Sequence, residues 1–254
     1  MKKTLVLILA IVFVMVATSA FATIALTKHN LTTGGTGTRT TVASATLCGF
    51  CHIPHGGSTA VARLPLWARA IGAGPYTVYG GGFTLSATPV GQPGTFSLTC
   101  LSCHDGTIGI GTITKNGQTS SVAMITTLPG GLAATADGGV GFQASNVIPG
   151  NGYSPYIGTD LRNDHPVGFT FPAAGYGALA SVPGISLTVT NPGLPTSHLD
   201  GTSGAVYPLY VTGGLDKFEC ATCHDPHLEN NLTLQTKFLR SPNAGFCQDC
   251  HDIK

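Results

Sequence analysis

Charge is scarce in this chain. Asp, Glu, Lys and Arg make up 9% of its 254 residues, against about 25% in a typical soluble globular protein, so neutral groups must dominate its surface. No basic run is present of the kind that tracks a nucleic-acid backbone. Methionine is nearly missing: apart from Met1 and Met15 near the N-terminus, only Met124 occurs. Helical periodicity is almost absent, and beyond residue 26 no stretch is long and apolar enough to cross a bilayer.

The apolar bias sits at the N-terminus. Lys2 and Lys3 precede a run from Leu5 to Ala17, and Ala20-Phe21-Ala22 has the small-x-small form that signal peptidase cleaves. Residues 1–22 are therefore read as a signal peptide, leaving a secreted mature chain of residues 23–254. An uncleaved anchor is the competing reading, but Thr18 and Ser19 interrupt the run beside the cleavage site.

Export makes eight cysteines look like disulfides, yet their spacing points elsewhere. They form four C-x-x-C pairs, Cys48/Cys51, Cys100/Cys103, Cys220/Cys223 and Cys247/Cys250, followed in turn by His52, His104, His224 and His251. With nine histidines in the chain, four such coincidences have a chance on the order of one in a million. C-x-x-C-H is the signature of covalent c-type haem attachment. Positions i and i+3 share one face of a helical turn, so both thiols can bond the two vinyl groups on one porphyrin edge while the adjoining imidazole reaches the iron. Paired C-x-x-C also suits zinc, which takes four protein ligands, but zinc leaves the repeated histidine unexplained. A thioredoxin-like pair lacks its βαβ context. The expected cofactors are four covalently bound haem c groups.

Scarcity of methionine bears on the second axial position. Five histidines remain beyond the four proximal ones: His29, His55, His165, His198 and His227. All four irons are thus expected to be bis-histidine, at low potential and with no vacant position, because methionine is the ligand that raises potential. His55 and His227 stand in matching frames, CHIPH and CHDPH, three residues after a proximal histidine. Three residues are too few to pass around a porphyrin edge, so each should serve a different haem from its neighbour. His165 in NDHPVGF and His29 in TKHNL complete the distal set, and His198 in PTSHLDG is the surplus one.

The span 105–219 has no cysteine and is rich in Gly, Pro, Ser and Thr. Short alternating stretches, SVAMITTL and GISLTVTN, read as strands. The expected fold is a multihaem cytochrome c in one domain: mostly irregular coil, one-turn helices at the haem motifs, a few short strands, and a core built by four haems. The polypeptide without haem is not expected to fold.

KHNL, LCGFCHIPH, LPLWARA, TCLSCHDGT, NDHPVGF, ECATCHDPH and FLRSPNAGFCQDCH together resemble the multihaem c-type cytochromes with doubled CXXCH motifs. Within them the chain is most similar to the tetrahaem extracellular filament cytochromes of the outer-membrane cytochrome E type. That resemblance implies a homopolymeric, electron-conducting filament with other cytochromes or extracellular acceptors as partners. It also implies that His55 is donated to the neighbouring subunit, onto the haem held by Cys247, Cys250 and His251. His29, His165 and His227 would then serve the other three haems within the subunit.

Electron transfer without chemistry is the leading functional class. It takes two forms, the extracellular filament and a monomeric periplasmic carrier. A multihaem oxidoreductase is the enzymatic alternative and requires one haem with an open distal side.

Overall fold

The computed structural model describes residues 24–35, 46–58, 66–72, 74–80, 91–122, 156–170, 186–189, 197–200, 206–212, 215–228, 238–241 and 247. The expected signal peptide, Cys250 and His251 lie outside them. Secondary structure in the described residues is short and sparse. A 3-10 turn covers Ile24–Leu26, helix α1 covers Thr95–His104, and the one-turn helix α2 covers Cys220–Cys223. Seven strands complete the inventory: β1 Thr112–Lys115, β2 Gln118–Ser121, β3 Phe169–Thr170, β4 Ser186–Val189, β5 Ser197–Asp200, β6 Val206–Thr212 and β7 Leu215–Phe218. All seven fall within the cysteine-free span.

β1 and β2 form a hairpin whose turn is Asn116-Gly117, both with positive φ (50° and 73°). Asn-Gly is the pair that fills a two-residue turn of this hand, since glycine enters the left-handed region without a Cβ clash. The other five strands make an antiparallel sheet in the order β3-β7-β6-β5-β4. β4 lies inside the expected GISLTVTN strand. Of SVAMITTL only Ser121, the last residue of β2, and Val122 are described. His198 lies in β5, in register with Thr188 and Pro208.

Two small apolar groupings anchor the chain. Tyr76, Leu101 and Leu161 are buried together, with Leu98, Ile157 and Val167 against them. Tyr207, Leu209, Tyr210 and Phe218 are buried along β6 and β7. Tyr210 packs on Phe96 of α1 with ring centres 4.0 Å apart and planes tilted by 37°, and it donates its hydroxyl to the Ala221 carbonyl of α2 at 3.2 Å. The sheet therefore backs both haem-motif helices.

The ten residues of α1 exceed the single turn expected at the second motif. Its first turn is capped from outside by Glu219, which is fully buried and accepts the Gly94 N–H at 3.1 Å together with the Ser97 hydroxyl. A carboxylate at a helix N-terminus meets both unsatisfied N–H groups and the positive end of the dipole. Burial pushes the Glu219 carboxyl above its ordinary value, against the hydrogen bonds from Ser97 and Gly94.

Candidate haem-binding site

Each described C-x-x-C-H motif is built on a turn of chain. At the first, the N–H groups of Cys51 and His52 both return to the Cys48 carbonyl, at 3.1 and 2.7 Å. The motif is then held by the segment beyond it, through Ala68 N–H to Cys51 O at 2.8 Å and Ile53 N–H to Leu66 O at 2.9 Å. The second motif closes α1, and the His104 carbonyl accepts the Ile157 N–H at 2.8 Å. The third is α2, whose Cys223 carbonyl accepts the Arg240 N–H at 2.8 Å.

The described cysteines, Cys48, Cys51, Cys100, Cys103, Cys220, Cys223 and Cys247, form no disulfide among themselves. Burial pushes the Cys51 thiol up to about 12, with the nearby Cys103 adding to the effect. Cys100 is likewise raised, first by its hydrogen bond with Cys220 and then by burial. Cys220, the partner in that bond, is lowered by it.

The motifs adjoin one another through named groups. Ser97 of α1 accepts the Cys220 N–H at 3.0 Å while donating to Glu219, so the second and third motifs share one hydroxyl. Arg69, 1% exposed, donates to the carbonyls of Ile110, Gly109 (2.6 Å) and Ser102 (3.4 Å), tying the segment beside the first motif to the loop after the second.

Histidines meet in pairs, each joining an expected proximal residue to an expected distal one. The rings of His29 and His104 have centres 6.2 Å apart with planes at 61°. Those of His52 and His227 are 6.3 Å apart at 17°. Two imidazoles on opposite sides of one metal, each nitrogen about 2.0–2.1 Å from it and about 1.1 Å from its own ring centre, have centres about 6.2–6.4 Å apart. Both pairs have that centre-to-centre spacing, the first with its rings edge-on and the second with its rings stacked. Among the described residues no three His, Cys, Asp or Glu side chains gather into a cluster that could hold a bare ion.

Nδ1 of three distal candidates has an acceptor. His29 Nδ1 faces the Pro226 carbonyl at 3.4 Å, His227 Nδ1 faces Asp225 Oδ1 at 3.1 Å, and His165 Nδ1 faces the Pro166 carbonyl at 2.9 Å. An acceptor on Nδ1 fixes the tautomer that leaves Nε2 as the ligand atom, the usual support of a metal-bound histidine. Burial, followed by the charge of His104, lowers His29 to about 4, so its ring is neutral at pH 7 as a ligand must be. Its other face stacks on Phe238 at 4.3 Å, a residue held at a φ of 65°.

His165 is exposed and packs on Phe218, two residues before Cys220, with ring centres 5.4 Å apart. His55 is exposed in the turn after the first motif. The residues around these histidines, Asp225, Arg240, Glu219 and Ser97, carry no local signal in the sequence beyond the Asp-Pro step inside CHDPH.

A family described as the doubled CXXCH motif matches residues 213–254, the stretch that contains the third and fourth motifs. No curated protein matches the chain. The chain has the CXXCH haem-binding motifs of a c-type cytochrome, and these imply covalently bound haem c.

Proposed function

We propose that the protein is a tetrahaem electron-transfer cytochrome whose irons are all bis-histidine. The observation that carries this reading is the double coincidence of imidazole pairs at 6.2 and 6.3 Å, each uniting a C-x-x-C-H histidine with a spare one. Thioethers at Cys48/Cys51, Cys100/Cys103, Cys220/Cys223 and Cys247/Cys250 hold the four groups, with His52, His104, His224 and His251 as proximal ligands. His29, His55, His165 and His227 are the distal set. Bound haem c supplies reversible one-electron chemistry at iron.

The polypeptide fixes and encloses the cofactors. Glu219 and Ser97 hold the second and third attachment points side by side, and Arg69 holds the first against the second. Histidine on both sides leaves no position for a substrate, which is the case for a conductor over an oxidoreductase. Without a methionine ligand the potentials fall in the low range.

The filament is the form of electron transfer we favour. His55 stands exposed in a turn, as a ligand donated to the fourth haem of another subunit has to be. The sparse charge of the chain lowers repulsion between copies. The location that follows is extracellular, after export by the N-terminal signal.

Intact-mass analysis of the secreted protein, paired with negative-stain microscopy, tests both levels. Four covalent haem adducts and filaments are the expected results. Free thiols would overturn the cofactor assignment; discrete monomers carrying four haems would leave a periplasmic carrier instead.

A further inference from the structure

The tripeptide Asp225-Pro226-His227 touches both imidazole pairs. Its histidine belongs to one of them, with His52. Its proline carbonyl is the acceptor for Nδ1 of His29, which belongs to the other with His104. Its aspartate splits its two oxygens. Oδ1 accepts the His227 N–H at 3.0 Å and faces His227 Nδ1 at 3.1 Å; Oδ2 receives Arg240 Nη1 at 3.1 Å. Arg240 is itself moored by Nε to the Ala221 carbonyl at 2.9 Å, and the Asp225 N–H is bound to the Phe238 carbonyl at 2.8 Å. Phe238 is the ring stacked on His29.

We infer that this tripeptide is a shared outer-shell hub: it seats His227 opposite His52 on one iron and His29 opposite His104 on a second, with Asp225 the positioning residue for the first. The inference rests on the haem-binding reading above and adds the pairing and its support. The tripeptide directly follows His224, so the loop leaving the third motif supplies the sixth ligand of the first haem and orients that of the second. Three haem sites are thereby bound to one stretch of chain.

The chemistry at the two irons differs. A carboxylate on Nδ1 makes an imidazole a stronger donor than a neutral carbonyl does, because it draws the N–H proton outward and leaves more negative charge on the ring. Stronger donation favours the ferric state. A haem held by the first motif and His227 would therefore have its potential lowered by Asp225 relative to a carbonyl-supported site. The equivalent position in the first motif's own frame is Ile53, so the histidine that follows it, His55, receives no carboxylate from that position.

The test uses full-length, exported holoprotein, with haem number from intact mass and spin state from low-temperature electron paramagnetic resonance. His227→Ala and His29→Ala should each convert one iron per molecule to high spin at unchanged haem number, and added imidazole should restore low spin. The same variants are then made in chains whose first motif (Cys48→Ala with Cys51→Ala) or second motif (Cys100→Ala with Cys103→Ala) cannot attach haem. His227→Ala should add no high-spin iron when the first haem is missing but should add one when the second is missing; His29→Ala should behave the opposite way. A high-spin iron from His227→Ala in the chain lacking the first haem would overturn the pairing. Asp225→Asn should keep every iron low-spin and raise one midpoint potential, a rise that disappears in the chain lacking the first haem. An unchanged set of potentials would overturn the positioning role. Wild-type protein that carries no covalent haem, or is already high-spin, would instead overturn the underlying reading.

Discussion

Ser97 accepts the backbone N–H of Cys220 at 3.0 Å while its own proton goes to the buried carboxylate of Glu219. One hydroxyl on α1 thus serves two groups at the start of α2, a haem-motif helix distant in sequence. Ser97→Ala removes both bonds and leaves a buried carboxylate oxygen and a backbone N–H short of a partner. The expected loss is about 1–3 kcal/mol, read as a lower denaturation midpoint of the holoprotein at unchanged haem number.

Glu219 gives the fold a pH dependence of definite sign. Burial holds its carboxyl above the ordinary value, so in the window between the two values the folded chain binds more protons than the unfolded one. Its contribution is fully present below the ordinary carboxylate value and is lost as pH rises through the raised one. Denaturation midpoints measured across that window should decline with rising pH. Glu219→Gln should flatten the decline, and an unchanged slope in that variant would refute the assignment.

Arg69 is almost wholly buried, and all the acceptors of its guanidinium are neutral carbonyls, of Ile110, Gly109 and Ser102. Replacement by methionine keeps the apolar stem and strands those carbonyls. A loss of about 3 kcal/mol or more follows from removing several bonds to a charged donor. Arg69→Lys should recover little, since one ammonium lacks the planar fork that reaches several carbonyls at once.

Gly56 follows His55 directly. It sits at a φ of 84°, and a Cβ there would lie 2.1 Å from Asn116 Oδ1, in the turn of the β1–β2 hairpin. Asn116 also donates its N–H to the Gly56 carbonyl at 2.6 Å. Gly56→Ala should therefore shift the His55 turn. Microscopy should find filaments shortened or lost while intact mass still gives four haems. His55→Ala should abolish them outright, and intact polymers in that variant would contradict donation of His55 to a second subunit.

What was legible in the sequence follows the range of the interaction. Haem attachment needs three residues at fixed local spacing, so Cys48, Cys51, His52 and their counterparts stood out at once. Which imidazoles lie near one another depends on folding: the His227 ring comes to 6.3 Å from that of His52, and the His29 ring to 6.2 Å from that of His104, from remote parts of the chain, and no local pattern encodes either meeting. β4 was visible through alternation in GISLTVTN. β6 was not, because Pro208 lies in a strand that has neighbours on both sides, where proline is unusual. β5, which carries His198, is defined by its pairing with β4 and β6, contacts that its own residues do not encode. The Asn116-Gly117 hairpin was available from its turn dipeptide. The length of α1 was out of reach, since the carboxylate that caps it comes from Glu219, just before the third motif.

Low-temperature electron paramagnetic resonance of the oxidised, exported protein tests the central claim most directly, because it reports the axial ligands of every iron at once. Bis-histidine ligation throughout predicts low-spin ferric signals that account for all the haem. A high-spin ferric signal amounting to one iron or more per molecule would contradict it.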